Sequence, residues 1–181
     1  MTSIIKVNTF QDTNGNALFN SDGSGNVTMS ANGAKNTPAF FVHKLTQQTL
    51  TNNTVTKITF DTEVFDTDNA FASDKFTVPT GKDGKYFIAT NLFTDAGAVS
   101  NYQYANIEIY KNGARASYHV HDIRNNAGHQ ISLTSTLLMD LSASDYVEIY
   151  CRIADLSGSP HIDVNGTDFF SYFYGYRLIG A

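Results

Sequence analysis

The chain has 181 residues, of which 41% are apolar and only 16% are charged, and its formal net charge is −5. This length and apolar content suit one globular domain with a core and argue against wholesale disorder. An acidic chain lacks the basic surface that non-specific nucleic-acid binding requires, and no stretch approaches the roughly 20 apolar residues of a membrane span. We therefore expect neither a nucleic acid nor a membrane as partner.

The N-terminal segment, residues 1–36, differs in composition from the remainder of the chain. It contains two turn-rich pieces, QDTNGNA and NSDGSGN, which predict a small hairpin followed by a connector. Such a piece buries too little surface to fold alone, so we expect it to lie on a partner or on its own copies. We interpret it as an attachment arm whose contact residues are Ile4, Ile5, Val7, Phe10, Leu18, Phe19, Val27 and Met29.

Residues 37–181 alternate apolar and polar side chains, which is the period of a β-strand. DYVEIYCRIAD places Val147, Ile149 and Cys151 on one face, whereas GKYFIATNLF is apolar on both faces and is predicted to lie centrally in its sheet. Asn112-Gly113 predicts a tight hairpin turn, because both positions require positive φ. Many short strands between polar loops predict an all-β, antiparallel β-sandwich of the jelly-roll type over residues 37–181.

Six apolar segments follow one another along residues 39–181. They are AFFVHKL (39–45), KITFDTEVFD (57–66), DKFTVPTGKDGKYFIATNLF (74–93), NIEIYKNGARA (106–116), STLLMDLSASDYVEIYC (135–151) and FFSYFYGYRLIGA (169–181). In these segments and their order the chain resembles the globular jelly roll shared by complement component one-q and tumour necrosis factor. The resemblance implies a homotrimer in which the last strand is central in its sheet and lies beside the three-fold axis.

The last of these segments is densely aromatic on both faces of the predicted strand. Phe169, Phe173 and Ile179 share one face, and we expect Phe169 and Phe173 to enter the core. A monomeric sandwich needs only one apolar face per strand, so the other face requires a second surface to cover it. Tyrosine suits an interface because its ring packs while its hydroxyl reaches polar partners. We predict that this second face forms the homotrimer interface through Phe170, Tyr172, Tyr174 and Tyr176.

Two groups of side chains come nearest to a metal or catalytic site. His119 and His121 project from one face of a predicted strand, and three copies around an axis would bring these imidazoles together. The second group resembles a set of calcium ligands or a glycosidase pair, and consists of Asp61, Glu63, Asp66, Asp68 and Asp74. The calcium-loop spacing with its central glycine is missing, so we interpret this group as a solvated acidic loop. We predict no bound metal.

Other chemical motifs do not occur in the sequence. Cys151 is the single cysteine, which excludes a disulfide within the chain, and its position on an apolar face predicts a small buried hydrophobe. There is no nucleophile elbow, phosphate loop or metalloprotease helix. MTSIIKVNTF is too poor in apolar residues for a signal peptide, so we expect synthesis in a reducing cytoplasm. We predict no cofactor and no catalytic residue.

A narrower resemblance concerns biology. IIKVNTFQDTNGNALFNSDGSGNVT (4–28), followed by a jelly roll and ending in YRLIGA, is similar to small structural proteins of tailed bacteriophages. It implies a non-enzymatic protein on the virion surface, a homotrimeric knob that other virion proteins hold through its arm. A capsid decoration (cement) or head-fibre protein is the leading hypothesis. The alternatives are a tail-fibre tip that binds host surface glycan and, third, a glycan-cleaving enzyme.

Overall fold

A computed structural model describes residues 7–29, 35–125, 127–166 and 168–179. The described residues are arranged as two compact units, one within residues 1–36 and the other within residues 37–179. The strands are, in chain order, β1 (Thr9–Gln11), β2 (Ala17–Ser21), β3 (Val27–Met29), β4 (Ala39–His43), β5 (Gln48–Thr49), β6 (Thr56–Lys57), β7 (Thr62–Asp66), β8 (Phe71–Ala72), β9 (Lys75–Thr77), β10 (Gly84–Asp95), β11 (Tyr102–Lys111), β12 (Ala114–Asp122), β13 (Gln130–Leu141), β14 (Tyr146–Asp155), β15 (His161–Ile162) and β16 (Tyr172–Arg177). No helix in these ranges is long and apolar enough to cross a membrane.

The first unit is an antiparallel meander in which β2 pairs with both β1 and β3. Its two turns have the same construction. Asp12 accepts hydrogen bonds from the backbone N–H groups of Asn14 and Asn16, and Asp22 accepts them from Ser24 and Asn26. These aspartates satisfy the turn backbone, so the repeated D-x-x-G-N pattern is explained by turn chemistry.

The second unit is an antiparallel sandwich of two sheets. In the first sheet β10 lies between β13 on one side and β16 on the other; β4 pairs with β16, and β7 is the edge beyond β4. Further along β10, β15 takes the place of β16, and β5 pairs with β15. The second sheet has the order β12-β11-β14-β9-β8, and β6 also pairs with β14. The predicted all-β sandwich and the central positions of β10 and β16 are confirmed.

The core lies between the inward faces of the two sheets. Tyr86, Ile88 and Leu92 of β10 are fully buried, and β14 supplies Ile149 and Cys151, also at 0% exposure. This burial raises the pKa of the Cys151 thiol, which therefore remains protonated and unreactive. The predicted alternation of faces in both strands is confirmed.

The β11–β12 hairpin turns at Asn112 and Gly113, whose φ angles are +52° and +77°. Two consecutive positive φ angles match the right-handed twist of paired strands, and asparagine and glycine tolerate them best. The hairpin predicted from this dipeptide is confirmed.

Candidate functional site

The outward surface of the first sheet is covered by aromatic side chains from four neighbouring strands. We call this surface the aromatic face, and it consists of Phe41, Phe65, Phe87, Tyr172, Tyr174 and Tyr176. One row across the sheet pairs Tyr174 with Phe41 and Phe41 with Phe65. In the next row Tyr176 pairs with Phe87, their ring centroids 5.5 Å apart. Strand alternation causes this arrangement, since Phe173 and Gly175 between the tyrosines point into the core.

The aromatic face contains an open groove of about 350 Å³, lined by Phe41, Phe65, Phe169, Tyr172 and Tyr174. Tyr174 stands edge-on to Phe41 with 6.0 Å between centroids. Partial burial raises the pKa of Tyr174, and the neighbouring Tyr172 and Tyr176 add to the rise. Phe65 and Phe169 remain 46% and 50% exposed. The groove is therefore an apolar surface that one sandwich leaves uncovered.

Phe169, which we expect in the core, lies elsewhere, and so does Ile179 of the same predicted face. Phe169 is half exposed and packs edge-on against Phe41 at 5.0 Å and His43 at 4.8 Å, so it belongs to the groove. The reason is that the strand begins only at Tyr172, after a turn in which the Phe170 N–H donates to the carbonyl of Asp168. Ile179 is 50% exposed because the strand has already ended. Alternation counted from Phe173 does not extend to either residue.

The structure brings the predicted interface residues to one side of the sheet. Tyr172, Tyr174 and Tyr176 are half-buried on the aromatic face, and Phe170 packs against Phe93 with 4.9 Å between centroids. Sequence inspection missed Phe41, Phe65 and Phe87, which lie on three other strands. The alternation of each strand could have shown that these three residues point outward. The sequence does not show which strands pair, so it could not show that they meet.

The arm residues within the described part are mostly exposed. Val7, Phe10 and Leu18 are 47%, 45% and 45% exposed, and Val27 and Met29 are 60% and 41%. Phe19 stacks on Phe10 at 4.8 Å. Ile4 and Ile5 lie outside the described residues. The meander thus presents apolar side chains without a core of its own.

His119 and His121 are exposed on the edge strand β12, opposite Ile107 and Ala105 of β11. In the described part of the chain they do not belong to any group of three potential ligands. A metal bound by these residues would need imidazoles from other copies.

The acidic segment is organised around backbone N–H groups. Asp61 accepts from Leu45 and Thr46, at 2.7 and 2.8 Å. Asp66 accepts from Phe71 at 2.7 Å, and Asp74 accepts from Phe60 at 2.9 Å. These three carboxylates accept hydrogen bonds from backbone N–H groups of turns and loops. Their role in turn structure explains why this segment is acidic.

A cluster that sequence inspection missed lies where β10 ends. Asp95 pairs directly with His161 of β15, and Asp163 follows two residues later. One oxygen of Asp95 lies 3.2 Å from Nε2 of His129 and 3.9 Å from Nε2 of His161. The potential ligand atoms of Asp95, His161 and Asp163 all lie within 4.8 Å of one another.

Asp155 lies close to this cluster, at the end of β14. It is only 7% exposed, and neither of its carboxylate oxygens has a hydrogen-bond partner within the described residues. Burial, together with the charge of Asp95 and against the opposing effect of His161, raises its pKa to about 6. This carboxylate is thus without the pairing that buried polar groups normally have.

No family model and no curated protein matches the sequence. Solved structures do resemble the fold. The globular domain of zebrafish complement 1qA has a TM-score of 0.55 at 13% identity, covering 78% of this chain and 97% of that domain. A crystal structure of murine APRIL at pH 5.0 also has a TM-score of 0.55, at 11% identity, covering 77% of this chain and 98% of that one. The likeness is one of fold, and it confirms the predicted complement-one-q/TNF-like jelly roll.

Proposed function

We propose that this chain is a non-enzymatic bacteriophage virion protein, a homotrimeric jelly-roll knob that its N-terminal arm attaches to the particle. The observation that carries the proposal is the aromatic face. It is built on four neighbouring strands of the first sheet, and the sandwich itself leaves it open to solvent.

The energetic argument starts from the groove. Fully covering one large apolar side chain contributes roughly 1.5–3 kcal/mol. Phe65 and Phe169 on its walls are each about half exposed, and the aromatic rings continue from one strand to the next. Exposed apolar patches rimmed by polar residues mark interaction surfaces, and tyrosine is enriched in them. Packing of a second surface against this groove would therefore be favoured by the burial of apolar side chains.

A further copy of this chain is the proposed occupant. The resemblance to the complement-one-q and tumour-necrosis-factor family implies that the last strand lies beside a three-fold axis. In this chain that strand is β16, and it carries Tyr172, Tyr174 and Tyr176 of the aromatic face. In a three-fold trimer each contact joins two different patches, and association stops because the rotation closes the ring.

The exposed apolar side chains of the arm support the proposed attachment to the virion. Five of its described apolar side chains are 41% to 60% exposed, and the meander has no core to receive them. We infer that another virion protein, either the major capsid protein or a tail component, covers them. We therefore propose that the chain is a capsid decoration (cement) or head-fibre protein on the virion surface.

The second candidate, a receptor-binding tip, is favoured by one feature of the outer surface of the second sheet. Tyr104, Arg124 and Arg152 line an open cleft of about 270 Å³, where the Arg152 guanidinium lies 4.8 Å from the centre of the Tyr104 ring. Aromatic rings beside guanidinium groups are suited to sugar rings and acidic glycans. Binding on a glycan array would favour this function, and turnover of polysaccharide would favour the glycan-cleaving enzyme.

Light scattering of the purified protein at micromolar concentration tests the assembly. We expect about three times the 19.9 kDa mass of one chain. Tyr174→Asp should lower the measured mass, because it brings carboxylates together in an apolar contact. The matched control is Tyr118→Asp, at a tyrosine that is 43% exposed on the other sheet. A wild-type monomer, or equal dissociation by both variants, contradicts the proposed interface.

A further inference from the structure

We propose that Asp95, His161 and Asp163, with His129 as a further ligand, bind a divalent first-row transition-metal ion such as Zn²⁺. The site lies at the junction of β10 and β15. It includes no residue of the aromatic face or of the arm, so it can be tested separately from the proposed function.

The topology places the three ligands on one side of the sheet. Asp95 and His161 are directly opposite each other in the antiparallel pair. The Asp163 N–H donates to the carbonyl of Phe93 at 2.8 Å, which continues the pairing by one residue. Residues two apart on a strand share a face, so Asp163 joins His161.

The ligand separations suit an ion after small side-chain rotations. The three ligand atoms lie within 4.8 Å of one another. Zinc–ligand bonds of 2.0–2.2 Å in a tetrahedron separate the ligand atoms by about 3.4 Å. His129 Nε2 already lies 3.2 Å from an oxygen of Asp95, which is close to this separation. An ion at the centre of the group would draw in His161 and Asp163.

The carboxylates are held by hydrogen bonds that leave lone pairs free. Asp95 accepts from the Gly97 N–H and from the Gln130 side chain, both at 2.5 Å. Asp163 accepts from the Val164 N–H at 2.9 Å. Such bonds orient metal ligands, and their loss typically weakens metal binding 10–100-fold.

Asp155 supplies an independent observation. It is 93% buried, and its two oxygens have no partner within the described part of the chain. The next residue, Leu156, donates its N–H to the carbonyl of Asn101, and the Asn101 side chain donates to the carbonyl of Ala96, which follows Asp95. Burying negative charge without a counter-charge is costly. A divalent cation in the cluster would offset that cost.

The ligand types indicate the class of ion. Imidazole favours zinc and its neighbours, and a mixed set of two imidazoles and two carboxylates is typical of them. Calcium prefers six to eight oxygen ligands, which this group does not offer. By joining β10 to the two-residue strand β15, the ion would stabilise this end of the sheet.

The test uses the full-length protein after treatment with a chelator, titrated with Zn²⁺ in a calorimeter. We expect one ion per chain and a higher melting temperature with Zn²⁺ than without it. Ca²⁺ at the same concentration should leave the melting temperature unchanged. Co²⁺ in place of Zn²⁺ should give a visible absorption band that reports its coordination.

The variants locate the ion. His161→Ala and the nearly isosteric Asp163→Asn should each weaken Zn²⁺ binding at least about 10-fold. The control His119→Ala/His121→Ala removes two exposed imidazoles and should bind as wild type does. Circular dichroism without metal checks that each variant is folded. If His161→Ala is unfolded, Asp163→Asn alone provides the test. The absence of Zn²⁺ binding, or binding lost in the control but kept in Asp163→Asn, overturns the proposal. Light scattering on the same samples scores assembly separately.

Discussion

Asp145 connects two turns at one end of the second sheet. One of its oxygens accepts from the Asn112 side chain at 2.6 Å. The other accepts from the Ser142 N–H and the Lys111 ammonium, both at 2.8 Å. The Lys111 ammonium, followed by Asn112 and Ser142, lowers the pKa of Asp145 to about 2. A single carboxylate therefore holds the β11–β12 turn against the β13–β14 turn.

Asp145→Asn should lower the free energy of unfolding by about 1–2 kcal/mol at pH 7, the usual worth of hydrogen bonds to a charged group. The folded-state pKa lies below the ordinary value of 3.8, so the stabilisation is complete above pH 4. It is lost as the pH falls through about 2. Denaturant unfolding of both proteins at pH 7 and pH 2, at equal chain concentration, measures the difference.

The control for this change is Asp140→Asn. Asp140 is 80% exposed and lies 3.9 Å from Lys85, so the substitution should change stability by less than about 0.5 kcal/mol. An Asp145→Asn effect that is the same at pH 2 as at pH 7 would show that the charge of Asp145 is not its source.

At the scale of elements, β16 depends on Gly175. This residue lies between β10 and β4, and a Cβ atom there would stand 2.8 Å from Cδ1 of Ile88 and 2.9 Å from the carbonyl oxygen of Phe87. It would also lie 3.0 Å from Cε1 of Phe40. Only glycine lets the core of the first sheet close this tightly, so the glycine between Tyr174 and Tyr176 has a packing cause.

Gly175→Ala should lower the free energy of unfolding by about 1–3 kcal/mol, since overpacking displaces both side chains and backbone. The control is Gly128→Ala, where the added methyl would meet only the flexible end of Ile123 at 3.3 Å. Thermal unfolding of both variants is the measurement. Equal losses in the two would show that close packing at β16 is not the reason for the glycine.

At the scale of the whole molecule, the chain is divided between an arm and a sandwich. β1, β2 and β3 form a sheet of their own, and the sheets of the second unit are built wholly from strands after Thr37. The buried hydrophobic core likewise begins at Phe40. Within the described part of the chain, the strands and the core of the sandwich therefore all come from residues after position 36.

Deleting residues 1–36 should leave a folded trimer that no longer attaches to virions. Circular dichroism of the truncated protein should show folded β-structure, and light scattering should give three times the mass of the truncated chain. Particles assembled with the truncated chain should lack it, whereas particles assembled with the full-length chain retain it. An unfolded truncated protein would place the arm in the core. Normal attachment of the truncated protein would place the anchor in the sandwich.

Local patterns in the sequence were sufficient for the sandwich. The alternation at Val147, Ile149 and Cys151 predicts an inward strand face, because successive strand residues point to opposite sides. Asn112-Gly113 predicts a hairpin, because few other residues accept two positive φ angles. Both signals are local, and the structure confirms them.

Tertiary structure decided what the patterns could not. Phe169 does not lie in the core as predicted, because a turn precedes β16 and alternation holds only within a strand. Phe41 and Phe65 joined the tyrosines, and Asp95 met His161, through pairing between distant strands. Such pairing depends on the register of the whole sheet, in which a shift of one residue would reverse every face. The sequence by itself determined which strands and turns form, and the folded sheet decided which side chains meet.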